Sequence, residues 1–304
     1  MQTTSHILMI RPVNFDFNTQ TAINNTFQVF TDNKNIQEKA VSEFDGLVEK
    51  LRSEGLEITV VNDTADPHTP DSIFPNNWIS FHEGGTVVLY PMFAVNRRAE
   101  RKPAVLKEVK KKFLVRNTID LSKYEQQGKF LEGTGSMVLD RDKKIAYACL
   151  SPRTDEELFM QCCKELHYHA VVFHAVDHNG AAIYHTNVMM CVADRYVVIC
   201  LPSISLEEEH IQVINTIKNS GKELIEISIE QMNQFAGNML QVEDQNKRKL
   251  LVMSSQAYNS LTAFQADRLK SFNKIIHVPL TTIETNGGGS VRCMMAELFL
   301  PLLK

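Results

Sequence analysis

No apolar run in the 304-residue sequence approaches the roughly 20 residues that a membrane helix needs; the longest, such as residues 196–201, are strand-sized. The N-terminus, Met1-Gln-Thr-Thr-Ser-His, has neither the basic region nor the long apolar core of a secretory signal. Positive charge is not in excess, since 32 Lys and Arg face 36 Asp and Glu for a net charge of −4. That balance argues against a protein that grips nucleic acid through phosphate contacts. With 13 Gly, 10 Pro and a 43% hydrophobic content, the chain also lies outside the collagenous, disordered and disulfide-scaffold classes. Cysteine is present six times, but without C-x-x-C or small-scaffold spacing, and five of the six lie in apolar strand or helix contexts. Free thiols in a reducing cytoplasm are the expectation.

What the chain does have is one pattern written several times. A polar or glycine-containing start leads to two strand-like runs joined by a charged turn; a Pro or Ser follows, then an amphipathic helix and a further short strand. Taking Asn76, Thr134, Thr186, Asn238 and Arg292 as starts, the offsets are 58, 52, 52 and 54 residues. The expected helices cover residues 97–113, 155–166, 206–218 and 256–272. A fifth copy is split across the termini: residues 291–301 supply one strand, residues 6–12 the next, and a helix from Lys34 to Glu54 with a strand over 57–61 completes it. Repeats of this period point to a solenoid or a closed ring, and sealing a ring by pairing the two termini removes exposed sheet edges. The expectation is one α/β domain over residues 1–304, a closed five-unit ring; the alternative is a generic α/β protein with similar units by coincidence.

Glu132, His185 and Cys293 fall at the same place in different repeats, so a closed ring brings them to one axis. A thiol, an imidazole and a carboxylate together supply a nucleophile, a proton shuttle and an orienting group. The thiol needs such help because a free cysteine, with a pKa of about 8.5, is mostly protonated at neutral pH. Three glycines in Asn286-Gly-Gly-Gly-Ser-Val-Arg-Cys293 let main chain approach a ligand closely, and the run lacks the grammar of a nucleotide-phosphate loop.

Phe130-Leu-Glu-Gly-Thr-Gly-Ser, Tyr184-His-Thr-Asn-Val and Asn286-Gly-Gly-Gly-Ser-Val-Arg-Cys resemble the Glu-Gly-Gly, His-x-Asp/Asn and Gly-Gly-Gly-x-x-Cys motifs of the guanidino-group-modifying enzymes. These form the pentein, or amidinotransferase/arginine deiminase, superfamily. The resemblance spans almost the whole chain and implies a five-bladed α/β propeller. Within the superfamily the Arg11-Pro start, Phe74-Pro-Asn-Asn-Trp and Tyr184-His-Thr-Asn are most similar to the bacterial citrulline-utilisation hydrolases. It implies Cys293 as nucleophile, His185 as acid and base, and Glu132 as the carboxylate near His185 and a substrate nitrogen. Asn77 and Asn187 stand where deiminases carry aspartates that clamp a guanidinium; an Asn offers a donor and an acceptor but no charge. Arg97 and Arg153 resemble the arginines that hold a substrate α-carboxylate.

Other residues are read without the resemblance. Asp177 and Asn238 lie near repeat starts, where turn and strand-start roles compete with substrate contact. His167 and His169 would share a strand face, but no second Cys/His pair accompanies them and no metal or other cofactor is expected. Trp78 would either wall the pocket or join the core. The reading is a cytoplasmic, cysteine-dependent hydrolase of a C–N bond in a small ureido or guanidino amino acid. Citrulline, cleaved to ornithine, ammonia and carbon dioxide, is the preferred substrate. The alternatives are an amidinotransferase, an arginine deiminase or dihydrolase, and, in another class, a non-catalytic pentein binding module. The partner expected is a small molecule, with neither nucleic acid nor membrane.

Overall fold

The computed structural model describes residues 1–32 and 35–303; Lys34, expected to start the first long helix, and the chain end Lys304 lie outside the described residues. Among the described residues the strands form five three-stranded sheets, each with its middle strand antiparallel to one neighbour and parallel to the other. The first blade is Ile79–His82, Thr86–Leu89 and Asn117–Asp120; the second is Val138–Asp140, Ile145–Cys149 and His169–Phe173. The third is Met190–Val192, Tyr196–Ile199 and Glu223–Glu226; the fourth is Leu240–Glu243, Lys249–Ser254 and Lys274–Val278. The fifth joins the termini: Ala296–Glu297 pairs antiparallel with His6–Arg11, which pairs parallel with Glu57–Asn62. This is the five-bladed α/β propeller, a ring of separate small sheets.

Strand alternation explains how the blades pack. Successive side chains point to opposite faces, so Ile7 and Met9 enter the apolar cluster shared with the fourth blade while Leu8 and Ile10 enter the one shared with the first. Val87 and Val88 divide in the same way between the clusters on either side of the first blade. Every middle strand is thus buried on both faces and reads as a continuous apolar run. The N-terminal residues add polar ties, with Gln2 Nε2 donating to Leu139 O and Val192 O, each at 3.0 Å, and Thr3 Oγ1 to Glu243 at 2.8 Å.

Several elements differ from the sequence expectation, each for a local reason. The helix expected over 97–113 is a 3-10 turn, Asn96–Glu100, followed by Pro103–Val109; Pro103 lacks the N–H that a continuous helix would need and serves as its first residue. The helix expected over 256–272 is broken into Ser255–Ser260 and Ala263–Lys270 by a capping box of Thr262 and Gln265. The repeat starts are not strand residues: Asn76, Thr134, Thr186 and Arg292 sit in one-turn helices, and Asn238 follows a turn. His167 lies outside the strand that carries His169, as the left-handed cap of Glu156–Leu166 with φ of 58°.

Because Leu8 is fully buried at the seam that closes the ring, Leu8→Ala is expected to lower stability by about 2–5 kcal/mol. Chemical denaturation measures this; a loss under about 1 kcal/mol would contradict the seam's tight packing.

Candidate active site

The one-turn helices meet where the blades converge, and short polar side chains lock each to the next. Ser136 Oγ accepts from Glu132 N and donates to Arg153 O, both at 2.8 Å. Thr186 Oγ1 donates to Ser136 O at 2.6 Å and accepts from Cys149 N at 2.8 Å. These bonds fix Glu132 and His185 at the residue preceding their turns. Gly135 lies between, and only a hydrogen fits: a Cβ there would stand 2.5 Å from Asn77 Nδ2 and 2.7 Å from His185 Nδ1.

Glu132 and His185 are both buried, with Glu132 Oε2 2.8 Å from His185 Nε2 and Glu132 Oε1 accepting from Phe93 N at 2.9 Å. Burial opposes ionisation of Glu132, but Arg153, the His185 hydrogen bond and Arg97 together hold it down at about 2. An ionised carboxylate only accepts hydrogen bonds, so Nε2 of His185 carries the proton and Nδ1 keeps its lone pair. Burial lowers His185 to about 4, against the pull of Glu132 and with help from Arg153 and Arg97. The imidazole is therefore neutral near pH 7.

Cys293 lies in the turn Val291–Met294 behind the glycine run. The helix Thr281–Gly287 ends on Gly288 in a left-handed conformation, φ 63°, and the Gly288 carbonyl accepts from Tyr184 Oη at 2.6 Å and Asn25 Nδ2 at 3.2 Å. The close polar partners of Sγ are two amides: Asn238 Nδ2 at 3.3 Å and Asn187 Nδ2 at 3.5 Å. Asn238 is held in turn, donating to Asn187 O at 2.9 Å and accepting from Arg292 N at 3.1 Å. Burial pushes the thiols of Cys149 and Cys200 up to about 11 and those of Cys163 and Cys191 to about 12, which suits inert core residues.

Cys293 and His185 both line one cavity with Asp71, Phe74, Asn77, Arg97, Arg153 and Tyr184. Its free volume is about 10 Å³, which admits about one water. The roof is the segment over residues 18–28. Arg153 donates through Nε to Asn24 Oδ1 at 2.9 Å and through Nη2 to Thr21 O at 2.8 Å, while its guanidinium lies 4.9 Å from the Tyr184 ring centre. Asp71 Oδ2 accepts from Asn18 at 2.8 Å and Thr21 at 3.1 Å; Asp71 Oδ1 has no hydrogen-bond partner among the described residues, and burial raises this carboxyl.

The residues singled out in the sequence are not all placed alike. Asn77 lines the cavity, where its Oδ1 accepts from Arg97 Nη1 at 2.8 Å. Asn187 sits beside the sulfur and outside that lining. Arg97 is bidentate to Glu100 at 2.8 and 2.9 Å, so it braces Asn77 while most of its donors are occupied. Arg153 Nη1 makes no hydrogen bond among the described residues and lies 3.6 Å from Glu132. Asp177 caps its own turn, accepting from Asn179 N and Ala181 N at 2.8 and 3.0 Å. Trp78 packs in the core and faces a different cavity. Sequence reading missed Asp71 and the roof residues Thr21, Asn24 and Asn25, none of which stands at a repeat start. It named Asn238 without seeing that its partner is the sulfur.

Among solved structures, the chain superposes on apo ArgZ, an arginine dihydrolase of the ornithine–ammonia cycle in cyanobacteria, with a TM-score of 0.74 at 19% identity, covering 98% of this chain and 41% of that one. The chain thus spans about two fifths of that enzyme. Against the substrate-bound N-terminal domain of ArgZ the TM-score is 0.76 at 18% identity, with 98% and 99% of the two chains covered. A dimethylarginine dimethylaminohydrolase adduct with S-methyl-L-thiocitrulline gives 0.67 at 15% identity over 97% and 99%. These likenesses show the fold. No curated protein sequence matches the chain. The family model described as "N,N dimethylarginine dimethylhydrolase, eukaryotic" matches residues 11–300, nearly the entire chain. The protein therefore belongs to that family of guanidino-modifying pentein hydrolases, which act on C–N bonds outside peptides.

Proposed function

We propose that residues 1–304 act as one domain that hydrolyses citrulline to ornithine, ammonia and carbon dioxide, as in the citrulline-utilisation group. The supporting observation is that the hydrogen-bond partners of the sulfur among the described residues are neutral. Its close polar partners are the neutral amides of Asn187 and Asn238, and both oxygens of Glu132 are already engaged, by Phe93 N and His185. A buried guanidinium without a facing carboxylate loses several kcal/mol of hydration, whereas a neutral ureido group needs only donors and acceptors. The six cysteines are free, in keeping with work in a reducing cytoplasm.

Arg153, whose Nη1 meets Glu132 only at 3.6 Å, takes the α-carboxylate after Asn24 gives way, and Asp71, with Oδ1 open, takes the α-ammonium. Arg97 keeps Asn77 turned toward the ureido group. Sγ of Cys293 gives its proton to Nδ1 of His185 and attacks the ureido carbon; the amides of Asn187 and Asn238 hold the thiolate. The bond from that carbon to the ornithine nitrogen breaks, and His185 returns the proton to that nitrogen. Water, giving a proton to His185, then cleaves the S-carbamoyl group; the carbamate released decomposes to ammonia and carbon dioxide. Glu132 steadies the imidazolium in both halves.

Protein quenched during citrulline turnover is expected to carry a carbamoyl-sized adduct on Cys293 by mass spectrometry, and an adduct on another residue would overturn the assignment. Cys293→Ala should fold normally and lose turnover by at least about a thousandfold. Asp71→Asn should raise KM for citrulline roughly ten- to a hundredfold, the worth of a hydrogen bond to a charged group, with kcat little changed. An unaltered KM would remove Asp71 from substrate binding.

The titrations give a stability prediction as well. His185 is lowered from 6.5 to about 4 in the fold, so between these values the unfolded chain binds a proton that the native chain does not, and stability falls as pH drops through that window. Glu132, lowered from 4.5 to about 2, adds a further loss below pH 4.5. Thermal melts across pH 7 to 4 should show this decline, and His185→Asn should flatten it.

A further inference from the structure

A second cavity, of about 390 Å³, is walled in part by the roof segment and does not include Cys293 in its lining. Its walls include Phe27 from the roof, Asp177 and His178 from the loop before Tyr184, Asn233 and Phe235, and Glu284 from the helix that ends in the glycine run. Phe27 and Phe235 lie with ring centres 5.1 Å apart, an apolar side facing a polar one.

Glu284 is the anomaly. It is 2% exposed; Oε1 accepts from Ser290 Oγ at 2.6 Å, and Oε2 has no hydrogen-bond partner among the described residues. No cation is paired with it among the described residues: the charged group that acts on it is Glu43, another acid, and the only basic group in the wall is His178. The Ser254 side chain is within reach of this carboxyl and, like Ser290, eases its ionisation, while its hydroxyl oxygen accepts from Ala257 N at 3.0 Å. Burial without a cation raises this carboxyl to about 7, so it is part-protonated near neutral pH and an arriving cation would hold it ionised. A carboxylate with an open oxygen, a second acid at Asp177 and an aromatic wall describe one ligand chemistry: a positive head on a short apolar body.

We propose that this cavity binds a small organic cation, a primary ammonium or guanidinium compound, with its charge on Glu284 and its carbon chain against Phe27 and Phe235. The volume is well above what the catalytic cavity leaves free, about 390 against 10 Å³. Since one wall is the segment over residues 26–29, an occupant also braces the roof that covers Cys293. The inference does not depend on which substrate the cysteine attacks.

The test uses n-butylammonium chloride, which lacks the carboxylate that Arg153 would hold. Calorimetry on the full chain should show saturable binding at a single site, and the bound cation should slow alkylation of Cys293 by iodoacetamide. Glu284→Gln should weaken binding by about tenfold or more, as loss of a buried charge pair does. Asn233→Lys, which places an ammonium of the protein's own in the cavity, should abolish it even if Glu284→Gln folds poorly. Asp71→Asn, on the catalytic side of the roof, should leave it in place. Absence of binding, binding that persists in both Glu284→Gln and Asn233→Lys, or binding lost in Asp71→Asn would each overturn the proposal; the last would place the cation beside Cys293.

Discussion

The closure of the ring is the constraint on which the site depends. Ala296–Glu297 pairs with the first strand through only Ile7↔Glu297 and Leu8↔Ala296, a short seam for the join of two chain ends. It is reinforced just beyond, where Leu114 N donates to Pro301 O at 2.8 Å and Leu303 N to Lys112 O at 2.9 Å. Cys293 lies three residues before the seam strand, while His185 and Glu132 come from the middle of the sequence. Only a closed ring brings these turns to one point, so the long-range pairing and the convergence of Cys293, His185 and Glu132 are two consequences of the same contact.

At that point the fold buries Glu132, Arg97, Arg153, Glu100 and Asp71 together. Such burial is expensive, and it is tolerated because nearly every charge is partnered in good geometry. Arg97 is clamped by Glu100, and Glu132 is held between His185 and two guanidinium groups. What the arrangement gains is orientation. A neutral imidazole with its proton fixed toward Glu132 is set to accept one on its other side, and two amides wait at the sulfur. Asp71 Oδ1, which has no hydrogen-bond partner among the described residues, and Arg153, whose Nη1 meets Glu132 only at 3.6 Å, have the charges that an amino acid's ends require.

The ring and the convergence of Glu132, His185 and Cys293 on one place were legible because they repeat. Apolar runs flanked by charged turns every fifty or so residues mark strands buried on both faces, and Glu132, His185 and Cys293 share one place in that period. The one-turn helices were not legible, since Asn76-Asn77 and Gly133-Thr-Gly-Ser read as strand starts until Ser136 is seen bonding to Arg153 O within its own repeat and Thr186 to Ser136 O in the repeat before. Pro103 and the Thr262–Gln265 capping box break two helices that apolar periodicity alone reads as continuous. The roof is outside the repeat altogether. Thr21, Asn24 and Asn25 look like an ordinary polar loop, and their meaning comes from long-range contacts with Arg153 and Gly288. Asp71 suffers the same fate, because a buried acid with an open oxygen cannot be told from a turn aspartate by sequence.

The central claim is that the neutral amides of Asn77, in the cavity, and Asn187, at the sulfur, select a neutral reacting group. The direct measurement is kcat/KM for citrulline and for arginine, from ornithine and ammonia release, on the wild type and on Asn77→Asp combined with Asn187→Asp. The account predicts a wild-type preference for citrulline that narrows or reverses in the double variant. A wild-type preference for arginine, or a ratio that the two substitutions leave unchanged, would contradict it.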